Sequence, residues 1–479
     1  MLFNSFRFLL FLPLVFILYW GVLRARRARL LLLLLASYAF YMSWKPKFLL
    51  LLLASTTLDY FTVKGMWRTK SQGLRRLLLA ASVGFNLGIL ALFKYADFFL
   101  GNATALAQWL GLHWTAPHLG LILPLGISFY TFETVSYAID GYYRSNQPAA
   151  RMTDYGLFIS FFPHLIAGPI VRPRQFLPQL ETPKTLRAEN VSVGMTLFLY
   201  GLVKKVVFAD RLAACADAVF AHPRHYGTCG VWIGVLAYAL QIYCDFSGYS
   251  VMAIGLARLF GFELPVNFRA PYLSESIQEF WRRWHVTLSF WFRDYLYIPL
   301  ARWVDRPSGV YASLFATMAL CGLWHGANWT FVIWGAYHGL LLMAHRFWRK
   351  SLKRWRRSLP VPPALLRRAA ARLAVFWLVC VGWVFFRAQG LGAAWRMLTR
   401  MFIPHAGAAA EGAALVAAVG VAVLALDVME YAAESWEGGL EGAIAARPAV
   451  FRAAIYAAAV FMLLVWAPVQ NRPFIYFQF

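Results

Sequence analysis

Apolar stretches recur along almost the whole chain, separated by short segments rich in arginine, and their length sets the first reading. A helix rises about 1.5 Å per residue, so about 20 mostly apolar residues cross a bilayer core. Runs approaching that length fall at 8–22, 30–43, 47–63, 77–97, 120–139, 154–171, 192–209, 230–257, 310–323, 329–346, 370–386, 412–429 and 453–469. Several are too short to cross unaided, and 270–300 mixes polar and apolar residues. Irregular backbone at membrane depth persists only where protein or a wet cavity surrounds it. The pattern therefore predicts an all-α polytopic membrane protein with both spanning and re-entrant or broken helices.

Composition sharpens this reading. Of 479 residues 61% are hydrophobic and only 14% charged, yet the formal net charge is +25. A soluble domain carries about 25% charged residues, and basic nucleic-acid binders are rich in charge, so both classes are set aside and a lipid bilayer is the expected surrounding. Aromatic content of 17%, with 20 Trp, suits rings placed at two membrane interfaces. Basic clusters at Arg24–Arg29, Lys64–Arg76, Arg144–Arg151, Arg172–Arg187, Arg258–Arg293, Arg349–Arg372 and Arg447–Arg452 mark cytoplasmic loops, whereas 98–119 has no Lys or Arg. Threading the chain between them puts the N-terminus outside and leaves 470–479 on the outer side. The run from Phe8 to Trp20 follows a single Arg7 and lacks a small-residue cleavage site, so it reads as a first spanning helix.

The five cysteines are scattered without CxxC or Cys/His spacing, which argues against a disulfide framework or metal site and makes them packing residues. No internal repeat is visible. The expected organisation is one core over 1–387 and a C-terminal membrane hairpin with an aromatic tail over 388–479. The acidic stretch 430–442, with Glu430, Glu434, Glu437 and Glu441, reads as one solvated helical face.

Ionisable groups at membrane depth are costly and mark function, and segment 241–346 concentrates them. His285 stands in Trp281-Arg-Arg-Trp-His285, and His325 in Gly322-Leu-Trp-His-Gly-Ala-Asn328, between glycines at an expected break between helices. A histidine titrating near ~6.5 can take a proton from a hydroxyl at neutral pH. From pattern alone, each is either such a base facing a buried tunnel or a core histidine bonded to backbone. His338 and His345, seven apart on one helical face, read as packing, and His113, His118, His222, His225 and His405 as loop residues. The chain has no GxSxG elbow, phosphate loop or HExxH motif. Asp245-Phe-Ser247 reads as a hydroxyl and a carboxylate satisfying each other.

The spacing of Trp-His285 and Leu-Trp-His325-Gly, with motifs on both sides, is similar to the membrane-bound O-acyltransferase family (MBOAT), in the branch serving alginate, cellulose or peptidoglycan acetylation. The motifs are Leu123-Pro-Leu-Gly-Ile-Ser-Phe-Tyr-Thr-Phe-Glu133, Phe161-Phe-Pro-His-Leu-Ile-Ala-Gly-Pro169, Gly201-Leu-Val-Lys-Lys205, Tyr243-Cys-Asp-Phe-Ser-Gly-Tyr249, Arg293-Asp-Tyr-Leu-Tyr-Ile298, Phe385-Phe-Arg-Ala388 and Phe474-Ile-Tyr-Phe-Gln-Phe479. Val251 and Ala301–Arg306 depart from the family pattern.

The resemblance implies helices around a central tunnel in a bacterial inner membrane, with His325 catalytic and His285 its companion. It implies acetyl-CoA as donor substrate with no cofactor or metal, and periplasmic SGNH-type transferases of a polysaccharide modification complex as partners. It implies Tyr476 as an acyl relay between the membrane histidine and those partners, against the plainer reading of the tail as an aromatic anchor. Arg282, Arg283 and Arg293 are donor-binding candidates because coenzyme A carries phosphates, with Lys204 and Lys205 behind them. The expected product is acetylated exported polysaccharide, alginate ahead of cellulose or peptidoglycan. D-alanyl transfer is the alternative within the family, and the aromatic tail argues against it, since there a comparable tail resides on a separate small protein. A transporter is the alternative outside the family, disfavoured by the missing repeats.

Overall fold

The computed structural model describes residues 1–304, 306–355, 363–433, 439–467 and 472–475. These residues are helical nearly throughout; pairing outside helices amounts to one parallel bridge between Tyr226 and Ala408. Among the described residues seven helices are long and apolar enough to cross a membrane, and the shorter Phe6–Val22 is apolar as well.

Most runs expected to span lie within longer helices. The 77–97 run sits in Gln72–Trp109 and the 192–209 run in Ala188–Ala221, each continued through a π-turn, at Ala91–Tyr95 and Lys204–Ala209. Two runs differ. At 120–139 the helix begins only at Ile127, after Pro124 and a left-handed Gly126 (φ +73°). A Cβ on Gly126 would sit 2.6 Å from the Leu165 carbonyl oxygen, so the backbones approach too closely for any side chain. At 154–171 the helix stops at Ser160, because Pro163 and Gly168-Pro169 cannot continue it.

Contacts divide the chain into two compact units, Met1–Phe198 with Ser250–Pro265, and Leu199–Tyr249 with Val266–Phe479. In the first, Phe8, Phe40 and Phe162 form a buried aromatic core. Two buried carboxylates are held there by donors, which removes most of the penalty of burying them. Asn86 Nδ2 donates at 3.0 Å to each oxygen of Asp59, and Ser82 Oγ donates at 2.5 Å. Glu133 accepts from Val171 N–H at 3.0 Å and lies 3.2 Å from His164 Nδ1, tying together the Leu123–Glu133 and Phe161–Pro169 motifs.

In the second unit Lys205 Nζ sits between Asp210 at 2.7 Å and Asp245 at 2.8 Å, and Lys204 Nζ is 3.4 Å from Glu430. Buried ammonium groups require counter-charges, which corrects two expectations. Glu430 is not a solvated face residue; it also accepts from Tyr200 O–H at 2.5 Å. Glu434 and Glu437 lie outside the described residues, as does the side chain of Glu441. Asp245 pairs with Lys205 rather than Ser247, because residues two apart on a helix point to different faces. Four cysteines are buried as expected, whereas Cys229 is exposed.

Candidate active site

The site is built inside the second unit on a helical hairpin and a run of short helices. Helix Pro307–His325 ends at His325, Gly326 is extended, and Asn328 opens helix Trp329–Trp355 by accepting the Thr330 N–H at 3.0 Å through Oδ1. The turn is thus only three residues, and the two helices must cross closely. A Cβ on Gly322 would lie 2.1 Å from the Phe331 carbonyl oxygen, and one on Gly335 2.2 Å from that of Met318. Small residues permit such backbone contact between membrane helices. Gly322→Val is expected to destabilise the solubilised protein by about 1–3 kcal/mol or more, read as a lowered thermal midpoint; an unchanged midpoint would refute a close crossing.

His325 is buried against Trp324 (ring centroids 4.8 Å), Trp334 (5.0 Å) and Phe386 (5.1 Å). His285 also lies near Trp324, centroids 6.3 Å apart, so the two histidines share one tryptophan. His285 precedes helix Val286–Phe292 with left-handed backbone (φ +43°, ψ +54°), a conformation costing a non-glycine residue about 1–3 kcal/mol. Asn267 holds it there. Its Oδ1 accepts from Thr287 Oγ1 at 2.9 Å and from Thr287 N–H at 3.3 Å, and its carbonyl accepts Val286 N–H at 2.9 Å. The same Oδ1 stands 3.1 Å from His285 Nδ1, which assigns the proton to Nδ1 and the lone pair to Nε2.

His338 joins this cluster, at 5.0 Å from Trp334 and 5.2 Å from Trp281. Sequence reasoning set it aside as packing and did not connect it to His325. The seven-residue spacing could not reveal that Trp334, four residues earlier, bridges both rings.

A cavity of about 500 Å³ opens beside Trp281 and reaches Cys321, one helical turn before His325. Its lining combines apolar side chains with Arg282, Arg293, Arg346 and Arg349. Two of the three arginines proposed from sequence are therefore brought together. Arg283 turns elsewhere: its Nε is 2.9 Å from Glu279, its Nη1 donates to the Arg269 carbonyl at 3.0 Å, and it lies over Tyr431. Lys204 and Lys205 face carboxylates, as described above. Arg346 and Arg349 were missed, although Leu342, His345, Arg346 and Arg349 follow the i, i+3, i+4, i+7 spacing of one helical face.

Tyr476 lies outside the described residues; the stretch before it, residues 472–475, is described. Phe474 and Ile475 are buried, with Phe474 packed on Tyr249 (4.8 Å) and Phe246 (5.8 Å). Ile475 N–H donates to Asp245 Oδ2 at 2.7 Å. Phe246 in turn meets His285 edge to face at 4.6 Å, which leaves one ring between the segment and that histidine.

A membrane-embedded helical protein whose hairpin turn and adjoining short helices bring two buried histidines around one tryptophan is the arrangement to set beside known families. The model of the membrane-bound O-acyltransferase family, MBOAT, matches residues 145–386, and the chain belongs to that family. It is 45% identical over 407 residues to the probable alginate O-acetylase of Azotobacter vinelandii, covering 84% of this chain and 78% of that one. It is 38% identical to the peptidoglycan O-acetyltransferase of Helicobacter pylori (77% and 73% covered) and 30% identical to the teichoic acid D-alanyltransferase of Bacillus subtilis (57% and 70%). The protein is thus a multi-pass membrane-bound O-acyltransferase.

Proposed function

We propose that the protein transfers acetyl from acetyl-CoA on the cytoplasmic side of a bacterial inner membrane toward an exported polysaccharide, with alginate favoured and peptidoglycan second. The observation that carries the reading is the placement of His325: buried at a hairpin turn, sharing Trp324 with His285, one turn from a cavity ringed by arginines. The relative with the higher identity, a probable alginate O-acetylase, supports the polymer, and the helicobacterial relative supports the alternative.

The chemistry follows from the residues. Arg282 and Arg293, joined by Arg346 and Arg349, would hold the phosphates through charge-assisted bonds, while the apolar wall toward Cys321 would receive the pantetheine arm. His325 takes the proton of an acceptor hydroxyl as its oxygen attacks the acetyl carbonyl. The C–O bond forms, the C–S bond breaks, and the proton passes to the departing thiolate, restoring neutral imidazole. His285, held by Asn267, orients or polarises this centre. Tyr476 is the first acceptor in this scheme, and a periplasmic SGNH-type transferase would take acetyl from it, which places the segment near residue 475 on the periplasmic side.

Replacing Arg282 and Arg293 with Gln should raise the apparent KM for acetyl-CoA about tenfold or more, since each charged contact contributes roughly 1.5–3 kcal/mol. Arg283→Gln, which removes an ion pair to Glu279 rather than a cavity residue, should leave that KM near the wild-type value. Steady-state donor titration separates the two, and an unchanged KM in the double variant removes the arginines from the donor site.

A further inference from the structure

A second cavity, of about 930 Å³, lies in the same unit and has no part in the donor scheme. It is lined by Arg224, Arg387 and Arg396 against a single carboxylate, Asp217, with Phe220 and Tyr226 contributing aromatic faces. Its volume is that of an ordinary ligand site. It also adjoins the catalytic turn: Ala388 and Gln389 line it, the Gln389 carbonyl accepts from Asn328 Nδ2 at 3.4 Å, and Phe386 packs on His325 at 5.1 Å.

Its preference for carboxylate is visible within the fold. Asp217 accepts from Arg387 Nη2 at 2.7 Å through one oxygen and from Arg472 Nη1 at 2.5 Å through the other. Arg224 and Arg396 are exposed, and no ion-pair partner is seen for either among the described residues. Guanidinium forks bind carboxylates in preference to neutral hydroxyls. A half-open cavity that interleaves arginines with aromatic rings suits a chain of acidic sugars, whose ring faces stack and whose carboxylates pair.

We propose that this cavity binds a uronic-acid segment of the acceptor polysaccharide, so that the membrane protein itself holds the polymer beside the turn carrying His325. The proposal rests on the polysaccharide reading above, and its test needs no acetyl transfer. The full chain in lipid nanodiscs is titrated by calorimetry with an unacetylated oligouronate, a neutral glucan oligomer of equal length and a glutamate-rich peptide. The oligouronate alone should bind, and its affinity should fall as salt rises. Replacing Arg224 and Arg396 with Gln should weaken it about tenfold or more. Because these side chains are exposed, that variant should keep the wild-type thermal midpoint, which is measured alongside; Arg396→Lys, keeping the charge, should recover part of the affinity. Absence of oligouronate binding, equal binding of the glucan, an unchanged affinity in the double variant, or equal binding of the acidic peptide would each overturn the proposal. His325→Ala should bind the oligouronate as wild type does, so failure of the transfer chemistry and failure of this site are read separately.

Discussion

Cells carrying His325→Ala should lose polysaccharide O-acetylation while keeping the protein in the membrane at close to its normal level. A positioned general base contributes typically ~10²–10⁴ in rate, and the site provides no second base on the same turn: His325 is followed by Gly326 and Ala327. The ring also packs against Trp324, Trp334 and Phe386, so alanine leaves a cavity that costs stability on the order of 1–3 kcal/mol. His325→Gln keeps most of the volume and cannot act as a base, which separates packing from chemistry. Both variants should be inactive, with glutamine nearer the wild-type thermal midpoint. Near-normal acetylation in the glutamine variant would remove the base assignment.

Tyr476→Phe should reduce acetylation almost to background without changing membrane level. The substitution removes one hydroxyl and keeps the aromatic bulk, so an anchoring role predicts normal activity and a relay predicts none. The docking of the two preceding residues favours the relay: Phe474 is buried against Tyr249 and Phe246, and Ile475 N–H is held by Asp245. Asp245 is itself fixed by Lys205. An aromatic belt would instead leave the Phe474 ring at a lipid interface. A phenol titrates near ~10, so it needs a base to attack a thioester, and that requirement links Tyr476 to His325. Full activity of the Phe variant would discard the relay.

The sequence disclosed the site unevenly, for physical reasons. His325 could be found because a helix break has a local signature: Gly326 cannot extend the helix favourably, and Asn328 caps the next one. The break at Pro163 and Gly168-Pro169 carries the same kind of signal, but the apolar run over 154–171 masked it, since hydropathy counts residues and ignores backbone. His285 was found by its neighbours, while its left-handed backbone and the Asn267 clamp join positions 18 residues apart in sequence and leave no periodic trace. Pairing of buried charges was equally hidden. Glu430 looked like one of four acidic residues on a solvated helix, and only the fold brings it to Tyr200 and Lys204. The arginines show the same limit: adjacent Arg282 and Arg283 are indistinguishable as a basic pair, yet about 100° of helical rotation sends one to the cavity and the other to Glu279.

The central claim is that acetyl passes from a thioester donor onto this chain under the control of His325. Intact-protein mass spectrometry after incubating the purified protein with acetyl-CoA in nanodiscs, without any outer transferase, tests it most directly. The wild-type protein should gain one acetyl group, located on Tyr476 by fragmentation, and neither His325→Gln nor Tyr476→Phe should gain it. Acetylation of the His325→Gln protein at the wild-type rate would contradict the account.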